Sequence, residues 1–268
     1  MLKKIIPLVV CLMLPLITAA SPAPLHHPSS YEPIIRDNFQ AVRNVVVAIA
    51  VEFVSKKDPP APPEKTIGSG IIIHPDGIIF TNAHVLSEKD FAIKNITVEL
   101  WDGNVFFTKD VQWIDTKTDT ARIKVDAVFT HYAKIDARNF DAIRQEDIVG
   151  EKVIIMGHPF GLSWDIVEGY ITHPSRILTE DNANSFIQLE LHVNPGNSGG
   201  GLFDSQGELI GVPTMMIDGS GKGFAIPIKR FCDKDKEHGY NACVQTRPEK
   251  AIKAPEHTPL FPSAPSIQ

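Results

Sequence analysis

Short apolar runs separated by turn residues recur along most of this chain. Val45-Val-Val-Ala-Ile-Ala-Val-Glu-Phe-Val54 is rich in β-branched residues and reads as a strand. Further strands are expected at 71–73, 78–81, 97–100, 105–108 and 121–125. A second series follows at 152–156, 166–171, 186–191, 201–203, 209–214 and 223–228. Turn signals such as Pro75-Asp76-Gly77 and Asp102-Gly103 punctuate the runs. Ile34, Ile35, Phe39 and Val42 instead repeat at helical spacing and predict one helix within 31–43. Pro59, Pro60, Pro62 and Pro63 exclude 56–65 from a sheet interior. The stretch 131–150 has little strand pattern and reads as a connector between two β-rich halves, about 44–130 and 151–230. Regular short strands with turns between them predict an all-β fold, barrels or a sandwich.

The first twenty residues follow a different pattern. Lys3 and Lys4 precede an uncharged apolar stretch from Ile5 to Ile17, and Thr18-Ala-Ala20 supplies small residues before Ser21. This reads as a secretory signal peptide over 1–20. The apolar stretch, interrupted by Pro7 and Pro15, falls short of the ~20 residues that span a bilayer. Residues 21–30 are expected to be a flexible start of the mature chain. No stable membrane insertion is expected after cleavage. Beyond 232, residues 233–268 turn charged and then Pro-rich, and read as a tail. Cleavage would remove Cys11 and leave Cys232 and Cys243 in an oxidising compartment, where they are expected to form a disulfide; two free thiols are the alternative.

Composition narrows the function classes. With 26 Lys+Arg against 32 Asp+Glu the chain is acidic, and it has no long basic run, so nucleic acid is a poor partner. There is no His-Glu-x-x-His and no Cys-x-x-Cys, so no zinc motif is present. Gly219-Ser-Gly-Lys-Gly223 lacks the spacing of a phosphate-binding loop and reads as a glycine turn.

The motif with chemistry is Asn194-Pro-Gly-Asn-Ser-Gly-Gly200. A nucleophilic serine needs an exposed hydroxyl at a tight turn and small neighbours that let a carbonyl approach. Backbone N–H groups of Gly196 and Ser198 are positioned by such a turn to bind an oxyanion. A Gly-rich hairpin turn explains the motif equally well on its own. A serine nucleophile also needs a base and a group that orients the base. His84, in Thr81-Asn-Ala-His-Val85, ends an apolar strand run; Asp119 starts a strand whose Ala121, Ile123 and Val125 alternate inward. The order His84, Asp119, Ser198 matches the general template described for chymotrypsin-type triads. A satisfied core histidine is the ordinary reading of His84 alone, but the three residues together make coincidence a poor account.

These segments resemble the trypsin-like serine proteases of the HtrA/Deg type over roughly residues 31–230. The resemblance lies in several ordered blocks: Gly68-Ser-Gly-Ile-Ile-Ile-His-Pro-Asp-Gly77, Thr81-Asn-Ala-His-Val85, Asp115-Thr-Lys-Thr-Asp-Thr-Ala121, Met156-Gly-His-Pro-Phe-Gly-Leu162, Phe186-Ile-Gln188, the Ser198 motif and Gly223-Phe-Ala-Ile-Pro227. It implies a chymotrypsin-like double β-barrel with a short N-terminal helix, here a protease domain over 31–232. It implies endopeptidase action on unfolded or damaged envelope polypeptides, in the periplasm or after secretion, often as a homotrimer and without metal or organic cofactor. Members usually carry PDZ domains after the protease, for which 231–268 is too short. Arg122 stands where the family has an apolar residue, and Glu190-Leu-His192 replaces its usual Asp-Ala-Ala. By the same resemblance His192 falls at the base of the primary specificity pocket, with Pro213, Thr214 and Met215 on the strand beyond the serine. Two other readings remain at this point: a glutamyl-endopeptidase-like or host-directed protease, and a poorly active protease fold serving as chaperone or binding module.

Overall fold

The computed structural model describes residues 34–57, 62–158, 164–179, 182–191, 196–217 and 220–244. The expected signal peptide, the segment 21–30, His192 and the chain beyond 244 lie outside these residues. A helix, α1 (Ile34–Arg43), precedes β1 (Val46–Ser55), β2 (Glu64–His74) and β3 (Ile78–Thr81). A one-turn helix, α2 (Ala83–Leu86), leads into β4 (Phe91–Glu99), β5 (Val105–Thr108), β6 (Asp110–Asp115) and β7 (Thr120–Lys124). These seven strands form one antiparallel sheet in the order β5-β4-β1-β2-β3-β7-β6. The connector carries two single 3₁₀ turns, Phe140–Ala142 and Gln145–Asp147. Then come β8 (Lys152–Gly157), β9 (Asp165–Thr179), β10 (Asn182–Glu190), β11 (Gly201–Phe203), β12 (Leu209–Ile217) and β13 (Lys222–Pro227). They close into a six-stranded barrel in the order β10-β13-β12-β11-β8-β9.

The chain therefore has the chymotrypsin-like double-barrel fold, with one correction. The second barrel closes, but the first sheet has seven strands, and β5 and β6 stand at its two ends rather than beside each other. The strand β6 was not legible because Asp110-Val-Gln-Trp-Ile-Asp115 is half polar, is bounded by Asp at both ends and follows β5 after a single residue. Strands β9 and β10 also start or end several residues beyond their apolar runs, because ladder pairing continues through polar positions, and β4 starts earlier than expected because Phe91-Ala-Ile93 pairs with Phe53-Val-Ser55 of β1. Glu64 and Lys65, expected in a loop, pair with Phe53 and Glu52 and open β2.

Side chains of alternating parity separate three apolar clusters. Val47, Ile49 and Val51 of β1 pack with Ile72, Ile79, Ile96 and Val98 inside the first sheet. Val153 and Ile155 of β8 pack with Ile187, Leu202 and Ile210 inside the second barrel. Val46, Ile71, Phe80, Met156, Phe203 and Ile226 face the other way and form a third cluster shared by strands of both sheets. A strand buried on both faces reads as a continuous apolar run, which is why β1 and β8 lack clean alternation.

The expected tail starts too early. Ile228–Glu237 is a helix, α3, and Phe231, Cys232 and Ala242 are buried in the shared cluster. Charge misled the reading, because Asp235 is wholly buried and paired. Arg122 of β7 donates to the Asp235 carboxylate, Trp113 Nε1 donates to it at 3.4 Å, and the N–H of Ala242 donates at 2.7 Å. The Tyr240 ring lies 3.9 Å from the Arg122 guanidinium carbon. Cys232 and Cys243 are joined as a disulfide, closing the loop that carries Tyr240 and Ala242. Arg122 is thus neither exposed nor incidental. Although Ala121, Ile123 and Val125 face the first core as expected, Arg122 on the opposite face of β7 is also buried, against α3.

Removing one member of a buried pair strands the other. Arg122→Met is expected to lower unfolding free energy by about 3–5 kcal/mol in urea titrations, more than the about 2–3 kcal/mol expected for Cys232→Ser with Cys243→Ser. A loss under about 1 kcal/mol for Arg122→Met would mean that water reaches Asp235.

Candidate active site

Three elements bring the chemistry-bearing residues together. His84 sits on α2, whose Ala83, Val85 and Leu86 are buried, so the imidazole is the side chain left facing out, with 47% of its surface exposed. Asp119 ends the β6–β7 turn. Asp115 Oδ1 shapes this turn by accepting from the N–H groups of Lys117 (2.9 Å) and Thr118 (3.1 Å). Asp119 itself has φ +53, a left-handed conformation that non-glycine residues adopt rarely and Asp tolerates better than most. It is held there from several sides. Asn82 Nδ2 donates to its carbonyl at 3.0 Å, and the N–H of His84 donates to Oδ1 at 3.0 Å.

His84 Nδ1 lies 2.9 Å from Asp119 Oδ2 and 3.1 Å from Oδ1. Thr214 Oγ1 of β12 donates to the same Oδ2 at 2.5 Å. Ser198 Oγ in turn donates to the carbonyl of Thr214 at 3.3 Å. One residue of the closed barrel therefore contacts both the carboxylate and the serine. The hydroxyl of Thr214, expected as a pocket residue, is bonded to Asp119. Pro213 is buried and its carbonyl accepts from the N–H of Gly199 at 3.1 Å, whereas Met215 is 40% exposed. His192 lies outside the described residues.

The serine turn needs glycine for two separate reasons. Gly196 and Gly199 have φ +100 and +82, where a Cβ is disfavoured. At Gly199 a Cβ would also lie 2.2 Å from the carbonyl oxygen of Ser69 and 2.4 Å from Thr81 Oγ1. Ser69, on β2, went unassigned in the sequence although it lies in a matched block. A serine inside an apolar strand was the available signal, because a buried hydroxyl must be bonded to something. Nearby, His158 is buried against Trp164, their rings 5.1 Å apart, and burial lowers its pKa.

Among the described residues, Asp136, Asp204 and Glu208 have carboxylate oxygens close enough to share a cation. Arg138 donates to two of them, Asp136 and Asp204, and to Glu151.

The family model for the trypsin-like peptidase domain matches residues 68–212, more than half of the chain. The chain belongs to the trypsin-like peptidase family. Within that family its relatives are of the HtrA/DegP type. A Pseudomonas savastanoi pv. phaseolicola protein named "Probable periplasmic serine endoprotease DegP-like" is 35% identical over 193 residues, covering 66% of this chain and 38% of the relative. A Halomonas elongata protein of the same name is 39% identical over 168 residues, covering 61% of this chain and 33% of the relative. This peptidase chain thus spans under two fifths of the length of these relatives. The solved structure of the HtrA-type protease AlgW with a decapeptide superposes with a TM-score of 0.64 at 26% identity, covering 76% of this chain and 66% of the other.

Gly199→Ala combines an unfavourable φ with an overlap against backbone, so the peptidase is expected to lose stability well beyond the ~1 kcal/mol typical of glycine substitutions. Thermal denaturation of the purified variant checks this, and an unchanged melting temperature would mean that β2 shifts easily.

Proposed function

We propose that this chain is a serine endopeptidase that hydrolyses unfolded or damaged polypeptides in the cell envelope, with Ser198 as nucleophile, His84 as base and Asp119 as the group that orients it. The observation carrying the reading is the Asp119 carboxylate, which accepts from His84 and from Thr214 while Thr214 also accepts from Ser198. With Nδ1 donating to Asp119, Nε2 of His84 is the free acceptor. For the reaction the Ser198 hydroxyl must exchange the Thr214 carbonyl for that nitrogen as its acceptor. Ser198 Oγ then attacks the peptide carbonyl, and His84 carries the proton to the leaving amine. Asp119 stabilises the imidazolium without itself being protonated. The N–H groups of Gly196 and Ser198 hold the oxyanion, and water hydrolyses the acyl-enzyme. No step calls for a metal or organic cofactor.

The names of the relatives support an envelope location, as does the basic, apolar, small-residue order of 1–20. No helix among the described residues is long and apolar enough to cross a membrane. The hydroxyl of Ser198, aimed at Thr214 rather than at an imidazole, favours a second reading, a protease fold that binds unfolded chains and cuts poorly.

Fluorophosphonate labelling separates the two. The peptidase reading expects stoichiometric labelling of wild type at Ser198 and none of Ser198→Ala. Casein hydrolysis is expected to fall by more than ~10³-fold in Ser198→Ala and His84→Ala, and comparably in Asp119→Asn, whose amide favours the wrong tautomer. Casein hydrolysis by Ser198→Ala at the wild-type rate would overturn the reading.

A further inference from the structure

We propose that Ser69 is a positioning residue, whose hydroxyl holds the Gly196–Asn197 peptide with its carbonyl turned away from the oxyanion site; this rests on the serine peptidase reading above. Ser69 belongs to β2 of the first sheet, yet it bonds to the serine turn of the second barrel at two points. Its Oγ donates to the carbonyl of Gly196 at 2.7 Å, and its N–H donates to the carbonyl of Ser198 at 2.9 Å. The direction of the first bond is settled by a neighbour. The N–H of His158 donates to Ser69 Oγ at 2.8 Å, so the hydroxyl is an acceptor on that side and sends its own proton to Gly196. The Ser69 carbonyl accepts from Thr81 Oγ1 at 2.7 Å. Ser69 is wholly buried, so no water competes for any of these bonds.

Gly196 needs such a tether. At φ +100 and without a Cβ, little intrinsic preference opposes rotation of the peptide that follows it. A carbonyl turned into the cleft would put the negative end of a dipole where negative charge develops during attack. Ser69 commits the carbonyls of both Gly196 and Ser198 to β2, so neither negative end faces the cleft. Close approach is permitted by Gly157, where a Cβ would lie 3.0 Å from Ser69 Oγ and 2.6 Å from Asn197 Oδ1. His158 is itself held in place by the Trp164 ring, which continues to Trp101, 5.6 Å away, and to Phe39 of α1.

The test compares wild type, Ser69→Ala, Ser69→Cys, Thr81→Val and Ser198→Ala on an unstructured peptide substrate. Ser69→Ala is expected to lower kcat by about 10- to 100-fold with KM within about threefold, below the loss typical of deleting an oxyanion donor outright. Affinity for a peptide aldehyde, which forms the tetrahedral adduct, should fall in step with kcat/KM, while binding of the peptide substrate to Ser198→Ala is unchanged by adding Ser69→Ala. Thr81→Val removes a buried hydrogen bond to the same residue but leaves the Gly196 tether. It is expected to lose stability as Ser69→Ala does and keep kcat within about threefold. Ser69→Cys keeps the shape with a weaker donor and should fall between wild type and Ser69→Ala; if the alanine variant does not fold, the cysteine variant is read in its place. A wild-type kcat in the Ser69 variants, or an equal loss in Thr81→Val, overturns the proposal. Failure of wild type to label with fluorophosphonate overturns the peptidase reading instead.

Discussion

The carboxylate of Asp119 is shared between two sheets. It leaves β7 of the first sheet in a left-handed conformation and takes a hydrogen bond from Thr214 of the second barrel, while His84 contacts it from α2. A carboxylate at the edge of a core is tolerated only when its oxygens are occupied, and here the donors come from two separate elements, α2 and β12. The same bonds that keep it satisfied fix the relative placement of α2, the β6–β7 turn and β12. Geometry at the site and cohesion between the sheets are therefore one problem. Loosening either the turn or β12 disturbs both.

The serine turn follows the same logic with backbone groups. Its carbonyls at Gly196 and Ser198 are buried against β2, and Ser69 supplies both donors. Buried backbone polar groups must find partners, and a turn built from glycines supplies few side chains of its own. A strand from the other sheet does so instead. Glycine at 157 and 199 is the steric condition for that approach, since a Cβ at either position would overlap polar atoms of Ser69, Asn197 or Thr81.

At the C-terminal side, α3 and the disulfide loop hold a buried ion pair under β7, three residues beyond Asp119. Arg122 and Asp235 are both almost fully buried, and the loop closed by Cys232 and Cys243 supplies an N–H and an aromatic ring to complete their surroundings. Such a pair adds little net stability over an apolar one but strongly penalises any arrangement that separates its members. It fixes α3 in one position against β7 and shields that face of the strand from water.

Local information was enough for part of this. The alternation of short apolar runs and turns announced an all-β chain, and His84, Asp119 and Ser198 stood out as candidates for the proposed chemistry, because a nucleophile, a base and an orienting acid each demand particular side chains. Helix α3 and strand β6 stayed hidden, since their apolar signal is weak and their partners lie far away in the chain. Ser69 and the bond of Thr214 to Asp119 stayed hidden for a related reason: a hydroxyl in a strand is chemically ordinary until a distant carboxylate or carbonyl is placed against it. The sequence by itself determined which side chains were available and that most of the chain would be short strands. Only the tertiary structure decided which buried donor met which acceptor, because those partners are brought together by packing two sheets and are independent of spacing along the chain.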